Sequence, residues 1–335
     1  MDKRIGEQTV VFERPPVIIS AASVAGEKEG EGPLKDYFDI VTDDKNGRTS
    51  WEKAESKFME DAICKAVNKT GLSLTDIDYI LAGDLLNQTA ATVFGIRELK
   101  RPFLGLYGAC STMGEALSLG AMLVDGGFAA KAVASASSHF CSAERQFRFP
   151  LGLGTQRPLS STWTVTGCGA AVLSKDGFGP KIVSVTTGKI VDMGISDANN
   201  MGAAMAPAAA DTIKEHLKAR GKKISDFDVV ATGDLGFTGL KLAKSLLEND
   251  GISADGFFTD CGVEIFDQDR QDTHGGGSGC ACSAITFCGY FYKLLMERKI
   301  KNMLLVPTGA LMSLTSSQQG ETIPGIAHAV EIEMG

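Results

Sequence analysis

The chain repeats one pattern of residues at an interval of 150 positions, and this repeat constrains the fold more than any other feature. Leu74–Leu85 (LTDIDYILAGDL) and Ile224–Leu235 (ISDFDVVATGDL) both show an acidic turn, an apolar β run and then Gly-Asp-Leu. Gly71 and Gly221 stand at the same interval, and each follows a predicted helix in the manner of a C-terminal cap. The repeat therefore predicts two similar halves.

A second pair of segments supports this duplication. Residues 114–137 (GEALSLGAMLVDGGFAAKAVASAS) and 284–309 (AITFCGYFYKLLMERKIKNMLLVPTG) both read as a long helix, a turn and a buried strand. Apolar strands that alternate with helices predict an α/β fold with a mostly parallel sheet covered on both faces. Glycines and a proline near Gly177 predict a loop between the two repeated segments, so the predicted halves are 1–176 and 177–335.

Composition and charge exclude several classes of function. The formal net charge of −8 argues against broad binding to nucleic acid, which needs a basic face. The start MDKRIGEQTVVFERPP is charged and strand-like, so we expect no signal peptide. No stretch reaches the roughly 18 consecutive apolar residues of a membrane span. We therefore expect the eight cysteines to be reduced, as in cytosolic proteins.

Cys110 is the candidate reactive residue. It lies in GACSTMGEALSLG at the predicted start of a helix, where the helix dipole lowers the pKa of a thiol and favours the nucleophilic thiolate. The N–H groups of a helix start also bind anions, whether or not the sulfur reacts. The structural alternative is a small buried cysteine that packs a tight turn.

Residues 137–163 (SSHFCSAERQFRFPLGLGTQRPLSSTW) form a second candidate region. The segment mixes arginines, aromatic residues, Gly and Pro, a composition that suits a binding loop. Arg145, Arg148 and Arg157 lie beside phenylalanines and are candidate contacts for an anionic aromatic ligand. His139 follows a predicted strand and is a further candidate. A solvated loop and a structural histidine are the alternatives.

A cysteine at a helix start in the first of two duplicated α/β halves resembles the thiolase superfamily, and in particular the condensing enzymes of the ketoacyl synthase III type. GACSTMGEALSLG occupies the place of their nucleophile elbow. STWTVTGCGAAVLSKD resembles their strand before the half-way linker, THGGGSGCACSAI their second Gly-rich helix start, and LLVPTGALMSL their closing strand. The resemblance implies a duplicated thiolase-like fold with five layers, αβαβα, and by analogy a homodimer.

The residues needed for condensation are not all present. The chemistry requires a His, with a second His or Asn, to polarise a thioester carbonyl. In the family pattern that His follows the first strand of the second half, but Asp228–Gly239 contains no His and offers Asp234 instead. The Gly-rich turn holds Gly275–Gly277 near the place of the Asn, with His274 as either a functional histidine or a turn residue. We therefore expect no condensing activity.

Two further segments resemble a narrower family, the stage V sporulation protein AD family of spore-forming bacteria. They are VVFERPPVIISAASVAGEKEGEGPLKDYFDIV and SWEKAESKFMEDA. This resemblance implies a non-catalytic protein that binds dipicolinic acid, or its calcium chelate, and supports its uptake into the developing spore. Because we expect no membrane span, that role implies integral membrane partner subunits and a peripheral location on the forespore or spore inner membrane.

Dipicolinate is a flat aromatic ring with two carboxylates, so its site needs hydrogen-bond donors and an apolar slot. The acidic turn FDQDRQDTHGGG lacks the spacing of an EF-hand, so we expect no protein metal site, and calcium would enter with the ligand. The alternative function is an acyltransferase or ketoacyl synthase-like enzyme that uses Cys110. The candidate ligand-binding residues are Cys110, His139, Arg145, Arg148, Asp234 and His274.

Overall fold

The computed structural model describes residues 3–147 and 157–335. The strands are β1 (Arg4–Ile5), β2 (Thr9–Val11), β3 (Val17–Ala25), β4 (Ile40–Val41), β5 (Tyr79–Gly83), β6 (Phe103–Gly105), β7 (Lys131–Ser138), β8 (Trp163–Thr164), β9 (Gly167–Ser174), β10 (Lys181–Thr187), β11 (Val229–Thr232), β12 (Phe258–Asp260), β13 (Gly277–Ser278), β14 (Asn302–Val306), β15 (Thr308–Ala310) and β16 (Gly325–Glu333).

The helices alternate with these strands. They are α1 (Glu27–Gly30), α2 (Trp51–Lys69), α3 (Ala90–Ile96), α4 (Thr112–Asp125), α5 (Phe140–Phe147), α6 (Met201–Arg220), α7 (Gly236–Asn249), α8 (Cys261–Glu264), α9 (Cys280–Ile285), α10 (Tyr292–Met296) and α11 (Leu314–Gln318). A π-helical turn, Thr286–Phe291, joins α9 to α10.

Each half contributes a sheet with the same strand order. Among the described strands, the order is β3-β9-β7-β5-β6 in the first half and β10-β16-β14-β11-β12 in the second. In both sheets the first two pairings are antiparallel and the last two are parallel. The matching order confirms the predicted duplication. The expectation of a mostly parallel sheet is wrong, because two of these four pairings in each sheet are antiparallel. Strand β9 lies between β3 and β7, strand β16 lies between β10 and β14, and each runs antiparallel to both neighbours.

The two sheets meet along β3 and β10, where Val17 pairs with Lys181. The glycine-containing connection near Gly177 lies between β9 and β10, since β9 ends at Ser174 and β10 begins at Lys181. The boundaries 1–176 and 177–335 stay a prediction.

Helices and sheets form five layers. Helix α2, with α3 packed on it, covers the outer face of the first sheet, and α6 with α7 covers that of the second. Helices α4 and α9 lie between the sheets, since α4 contacts β7 and β9 on one side and β10 and β16 on the other. The αβαβα arrangement is therefore confirmed.

The central layer approaches the strands closely at two points. Every residue of α9 (CACSAI) is buried. A Cβ on Gly169 of β9 would stand 2.3 Å from the Ala284 carbonyl oxygen of α9, and one on Gly114 of α4 would stand 3.0 Å from the His328 carbonyl oxygen. These close approaches fix how near α4 and α9 lie to the strands.

All eight cysteines are free in the structure. Within the described residues, no helix combines the length and apolar character that crossing a bilayer requires.

Glu29 is a fully buried carboxyl in the short helix α1. Its Oε1 accepts a hydrogen bond from the Thr166 N–H at 3.0 Å, and its Oε2 has no hydrogen-bond partner in the described structure. Burial, assisted by the nearby Asp44, raises the pKa of Glu29 from 4.5 to about 8.

The Glu29→Gln variant is expected to unfold less readily than the parent chain at about pH 8. The unfolded chain releases the Glu29 proton near pH 4.5, whereas the folded state holds it until about pH 8. The free energy of unfolding therefore falls as the pH rises through this window, and the glutamine, which does not ionise, removes that loss of about 3 to 5 kcal/mol.

Denaturant unfolding at several pH values measures this difference. Glu27→Gln is the matched control, because Glu27 is an exposed carboxyl on the same helix. Parallel pH profiles for the parent chain and Glu29→Gln would contradict the prediction.

Candidate functional site

A cavity of about 290 Å³ opens between the two halves, beside the starts of α4 and α9. Its apolar walls come from α5, α6 and the loops around them, and two of its polar groups, Cys110 and Ser278, lie at the starts of α4 and α9. The apolar lining residues are Leu85, Ala109, Ala143, Phe147, Ala198, Met201, Met205, Ala310 and Met312. The polar lining residues are Tyr107, Cys110, Glu144, Thr162, Thr164, Asn199 and Ser278.

The turn before α4 places Cys110 in the cavity lining. Ala109 adopts a left-handed conformation with φ of 49°, which is uncommon for a residue other than glycine. The N–H groups of Ser111 and Thr112 donate to the carbonyl oxygens of Gly108 and Ala109, at 3.0 and 3.1 Å. These two N–H groups are therefore already paired, and the structure does not support the expectation that they bind an anion.

The second half presses its backbone against this turn. A Cβ on Gly309 of β15 would stand 2.2 Å from the Gly108 carbonyl oxygen and 3.1 Å from the Cys110 nitrogen. A side chain at position 309 would therefore displace the turn that carries Cys110. Glycine at this position lets residues of both halves line one cavity.

Cys110, Ser278 and Asp234 form a connected polar group at the floor of the cavity. The Cys110 Sγ lies 3.9 Å from the Ser278 Oγ, which in turn lies 3.3 Å from the Asp234 Oδ2. The Asp234 Oδ1 accepts a hydrogen bond from the Thr308 N–H at 3.3 Å. Two of the sequence candidates, Cys110 and Asp234, thus come together across the two halves.

Sequence reasoning missed Ser278, the residue that links them. Its signal was available, because Ser278 lies in the turn THGGGSGC, where the condensing-enzyme pattern has an Asn. Strand β13 positions Ser278 by pairing in parallel with β8, so that Ser278 stands opposite Thr164. Both of these residues line the cavity.

The thiol of Cys110 is protonated in this environment. Burial, followed by the carboxyl of Asp234, raises the pKa of Cys110 well above its ordinary value. Burial also raises the pKa of Asp234, and the neighbouring Asp260 adds to this rise. The expectation that the helix start lowers the pKa of the thiol is therefore wrong, since desolvation outweighs the helix dipole.

The structure places His139 away from the cavity. Its Nε2 donates to the Asp44 carbonyl oxygen at 2.7 Å, and its Nδ1 accepts from the Cys141 N–H at 3.1 Å. The ring packs against Trp51 and Phe58. Both ring nitrogens are occupied, which favours the structural alternative for this residue.

Two further candidates, Arg145 and His274, also lie outside the described cavity lining. Arg145 pairs with the carboxylate of Glu52. The His274 Nε2 lies 2.9 Å from a carboxylate oxygen of Asp272. Arg148 falls outside the described residues. Of the six sequence candidates, the described structure therefore brings only Cys110 and Asp234 together.

The acidic turn that contains Asp272 shows no metal-binding arrangement. Arg157 pairs with the Asp272 carboxylate at 2.7 Å, and its guanidinium lies over the ring of Trp163. Across residues 3–147 and 157–335, no group of three or more His, Cys, Asp or Glu side chains is placed to hold a metal ion.

Comparison with known proteins identifies the family. The profile of the stage V sporulation protein AD family matches residues 6–333. The stage V sporulation protein AD of Bacillus subtilis (strain 168) is 48% identical over 332 residues, which cover 99% of this chain and 98% of that protein. The chain belongs to the stage V sporulation protein AD family. It is a sporulation protein with a thiolase-like fold.

Solved structures of condensing enzymes share this fold. The 3-oxoacyl-[acyl-carrier-protein] synthase III of Aquifex aeolicus VF5 aligns with a TM-score of 0.58 at 14% identity, over 95% of this chain and 99% of that one. The priming β-ketosynthase of the R1128 polyketide pathway aligns with a TM-score of 0.60 at 15% identity, over 99% and 98%. Identities this low show the fold alone.

Cys110 is expected to react slowly with iodoacetamide at neutral pH, because the thiolate is the nucleophile and burial keeps this thiol protonated. The alkylation rate should still be rising above about pH 9, beyond the ordinary cysteine pKa of about 8.5. Mass spectrometry of the peptide that contains Cys110 measures the rate at each pH. The chain unfolded in denaturant serves as the control, and a rate that levels off below about pH 7 would contradict the prediction.

Proposed function

We propose that the cavity beside Cys110 binds dipicolinic acid, or its calcium chelate, and that the chain supports uptake of this ligand into the developing spore without catalysing a reaction. The observation that carries the proposal is the cavity itself, which combines apolar walls with a floor of hydrogen-bond donors. Its volume of about 290 Å³ suits a single-ring ligand, since pockets for drug-sized molecules range from about 300 to 1,000 Å³.

The apolar walls supply the slot for the ring. Phe147 and three methionines line the cavity, and methionine sulfur and aromatic rings both pack favourably on an aromatic ligand. Tyr107, Thr162, Thr164 and Ser278 carry hydroxyl groups that donate hydrogen bonds to carboxylates. One end of a flat dicarboxylate would then lie at the floor near Ser278, with its ring between the walls.

The charge of the lining bears on the role of calcium. No Lys, Arg or His is among the described lining residues, and Glu144 adds a carboxyl to the wall. The described lining therefore offers neutral donors to the carboxylates, and a calcium ion chelated by the ligand would offset part of the negative charge that the ligand brings into the cavity. Calcium is proposed to enter with the ligand, with no cofactor bound beforehand.

Two features argue against catalysis at Cys110. The raised pKa keeps the thiol protonated, and residues 228–239 offer Asp234 where the condensing-enzyme pattern has the His that polarises a thioester carbonyl. The acyltransferase alternative predicts a covalent adduct on Cys110 after incubation with acyl-CoA. Detection of that adduct by mass spectrometry would overturn the non-catalytic part of the proposal.

The proposed uptake role requires partners. We propose docking to integral membrane subunits, with the chain peripheral on the forespore or spore inner membrane. We also propose a homodimer, supported by strand β6, which ends the order of the first sheet and exposes Leu104. Sedimentation of the purified chain at the mass of one copy would contradict the dimer.

Calorimetric titration with dipicolinate, with and without calcium, tests the ligand assignment. The Ser278→Ala variant is expected to bind about 10- to 100-fold more weakly than the parent chain, because it loses one hydrogen bond to an ionised group. His274→Ala is the matched control and should bind as the parent chain does, since His274 does not line the cavity.

A benzoate titration is the specificity control, because benzoate offers one carboxylate where dipicolinate offers two. Weak or absent benzoate binding is expected. Failure of the folded parent chain to bind dipicolinate, alone or with calcium, would overturn the proposed function.

A further inference from the structure

The proposed function raises the question of how a cavity floor with a carboxyl behind it accepts an anion. We propose that a proton on Asp234 sets the direction of the Ser278 hydroxyl, so that Ser278 donates to a ligand carboxylate only while Asp234 is protonated. The inference rests on the proposed function, because it concerns the ligand of the same cavity. It makes Asp234 a positioning residue that controls anion binding through Ser278.

The positions of the two side chains support this relay. Ser278 lines the cavity, whereas Asp234 is fully buried behind it and is not part of the lining. The Ser278 Oγ lies 3.3 Å from the Asp234 Oδ2, so Asp234 acts on a ligand through this hydroxyl. The Thr308 N–H is directed at the other oxygen, Oδ1, at 3.3 Å. The acid proton is therefore placed on Oδ2, the oxygen that faces Ser278.

The cavity floor has two states, which differ in where the hydrogen of the Ser278 hydroxyl points. A hydroxyl has one hydrogen to donate, and an ionised carboxylate can only accept. When Asp234 is ionised, the Ser278 hydrogen points at the Asp234 Oδ2, and the serine presents lone pairs to the cavity. When Asp234 is protonated, it donates to the Ser278 Oγ, and the serine hydrogen is free to point into the cavity. Only the second state offers a carboxylate a donor at this position.

The surroundings favour the protonated form of Asp234. Burial raises the pKa of Asp234, and Asp260 on β12 adds to the rise. Asp260 itself has a pKa raised to about 6, and it accepts hydrogen bonds from the N–H groups of Leu235, Gly236 and Gly262. Asp260 is thus the better placed of the two to carry the negative charge.

The other titratable groups that interact with Asp234 in the described structure are thiols. Their pKa values are all raised by burial, so they remain neutral at the pH at which Asp260 ionises. None of these groups is a cation. The thiols are Cys110 at the start of α4, Cys261 on α8, and Cys280 and Cys282 on α9.

Ligand affinity is therefore linked to pH. No bond between heavy atoms is made or broken in the relay. When the ligand binds to a chain whose Asp234 is ionised, the carboxylate takes up one proton from solvent and forms an O–H bond; when Asp234 is already protonated, no proton is exchanged. Above the pKa of Asp234, the dissociation constant for dipicolinate should rise by up to about tenfold per pH unit. Carboxyl groups titrate near pH 4 in water, so the ligand stays ionised between about pH 6 and about pH 9 and the change belongs to the protein.

Calorimetric titration of the parent chain and two variants over this pH range tests the relay. Asp234→Asn imitates the protonated acid, because its amide oxygen accepts from the Thr308 N–H and its NH₂ donates to the Ser278 Oγ. This variant is expected to bind with little dependence on pH. Ser278→Ala should bind weakly at every pH and also lose the pH dependence, because the relay ends at Ser278.

Glu29→Gln is the matched control, since Glu29 is a buried carboxyl outside the cavity lining and its pKa of about 8 falls in the same pH range. It is expected to retain the pH dependence of the parent chain. Isophthalate, which lacks the ring nitrogen of dipicolinate, should show the same pH profile and so exclude titration of the ligand.

Titration in two buffers with different ionisation enthalpies provides a measurement on the parent chain alone. At pH values above the pKa of Asp234, binding should take up nearly one proton per ligand. This result stands even where thermal unfolding shows that a variant fails to fold.

The outcomes separate the relay from the proposed function. Absence of binding by the parent chain at every pH would overturn both. Binding with no pH dependence and no proton uptake would overturn the relay alone. A folded Asp234→Asn variant that keeps the pH dependence of the parent chain, or fails to bind, would also overturn it.

Discussion

The close approach of the two halves at the start of α4 is the constraint on which the site depends. Gly309 brings the backbone of the second half against Gly108 and Cys110, at distances that leave no room for a Cβ. The small residues of α9 let the central layer pack equally close to the first sheet. Because these contacts are made by backbone, they fix the separation of Cys110 and Ser278 across the cavity floor.

Duplication gave each half an aspartate at the same place, and the halves use it differently. In the first half Asp84 accepts from the N–H groups of Leu86 and Thr92, each at 2.7 Å, and so holds the local turn. In the second half the N–H groups of Leu235 and Gly236 donate to Asp260 instead, and Asp234 faces Ser278. The repeat therefore reflects the shared fold of the two halves, whereas the different hydrogen bonds of Asp84 and Asp234 distinguish the half that contributes to the site.

Much of the fold was predictable, because it depends on patterns that are local in sequence. The repeat at an interval of 150 residues predicted the duplication, and the cysteine at a helix start indicated Cys110. Asp234 was indicated by the resemblance to condensing enzymes, because it lies in the segment that holds their His. The antiparallel pairing of β9 and β16 with their neighbouring strands was not predictable from the periodicity of apolar residues. Periodicity shows which residues are buried, but it does not show which strands lie side by side.

The rest of the site depends on features that no single segment carries. Ser278 gains its role from pairing between β13 and β8, which are more than 100 residues apart in the chain. His139 and His274 looked equally suitable in sequence, yet their partners, Asp44 and Asp272, are known only from the fold. The pKa of Cys110 reflects a balance between helix dipole and desolvation, and burial in three dimensions decides it.

A crystal structure of the chain grown with dipicolinate would test the central claim most directly. The ligand is expected in the cavity beside Cys110, with one carboxylate within hydrogen-bond distance of the Ser278 Oγ and the ring against the methionine-lined wall. Dipicolinate bound elsewhere on the surface, with the cavity empty, would contradict the claim that this cavity is the ligand site.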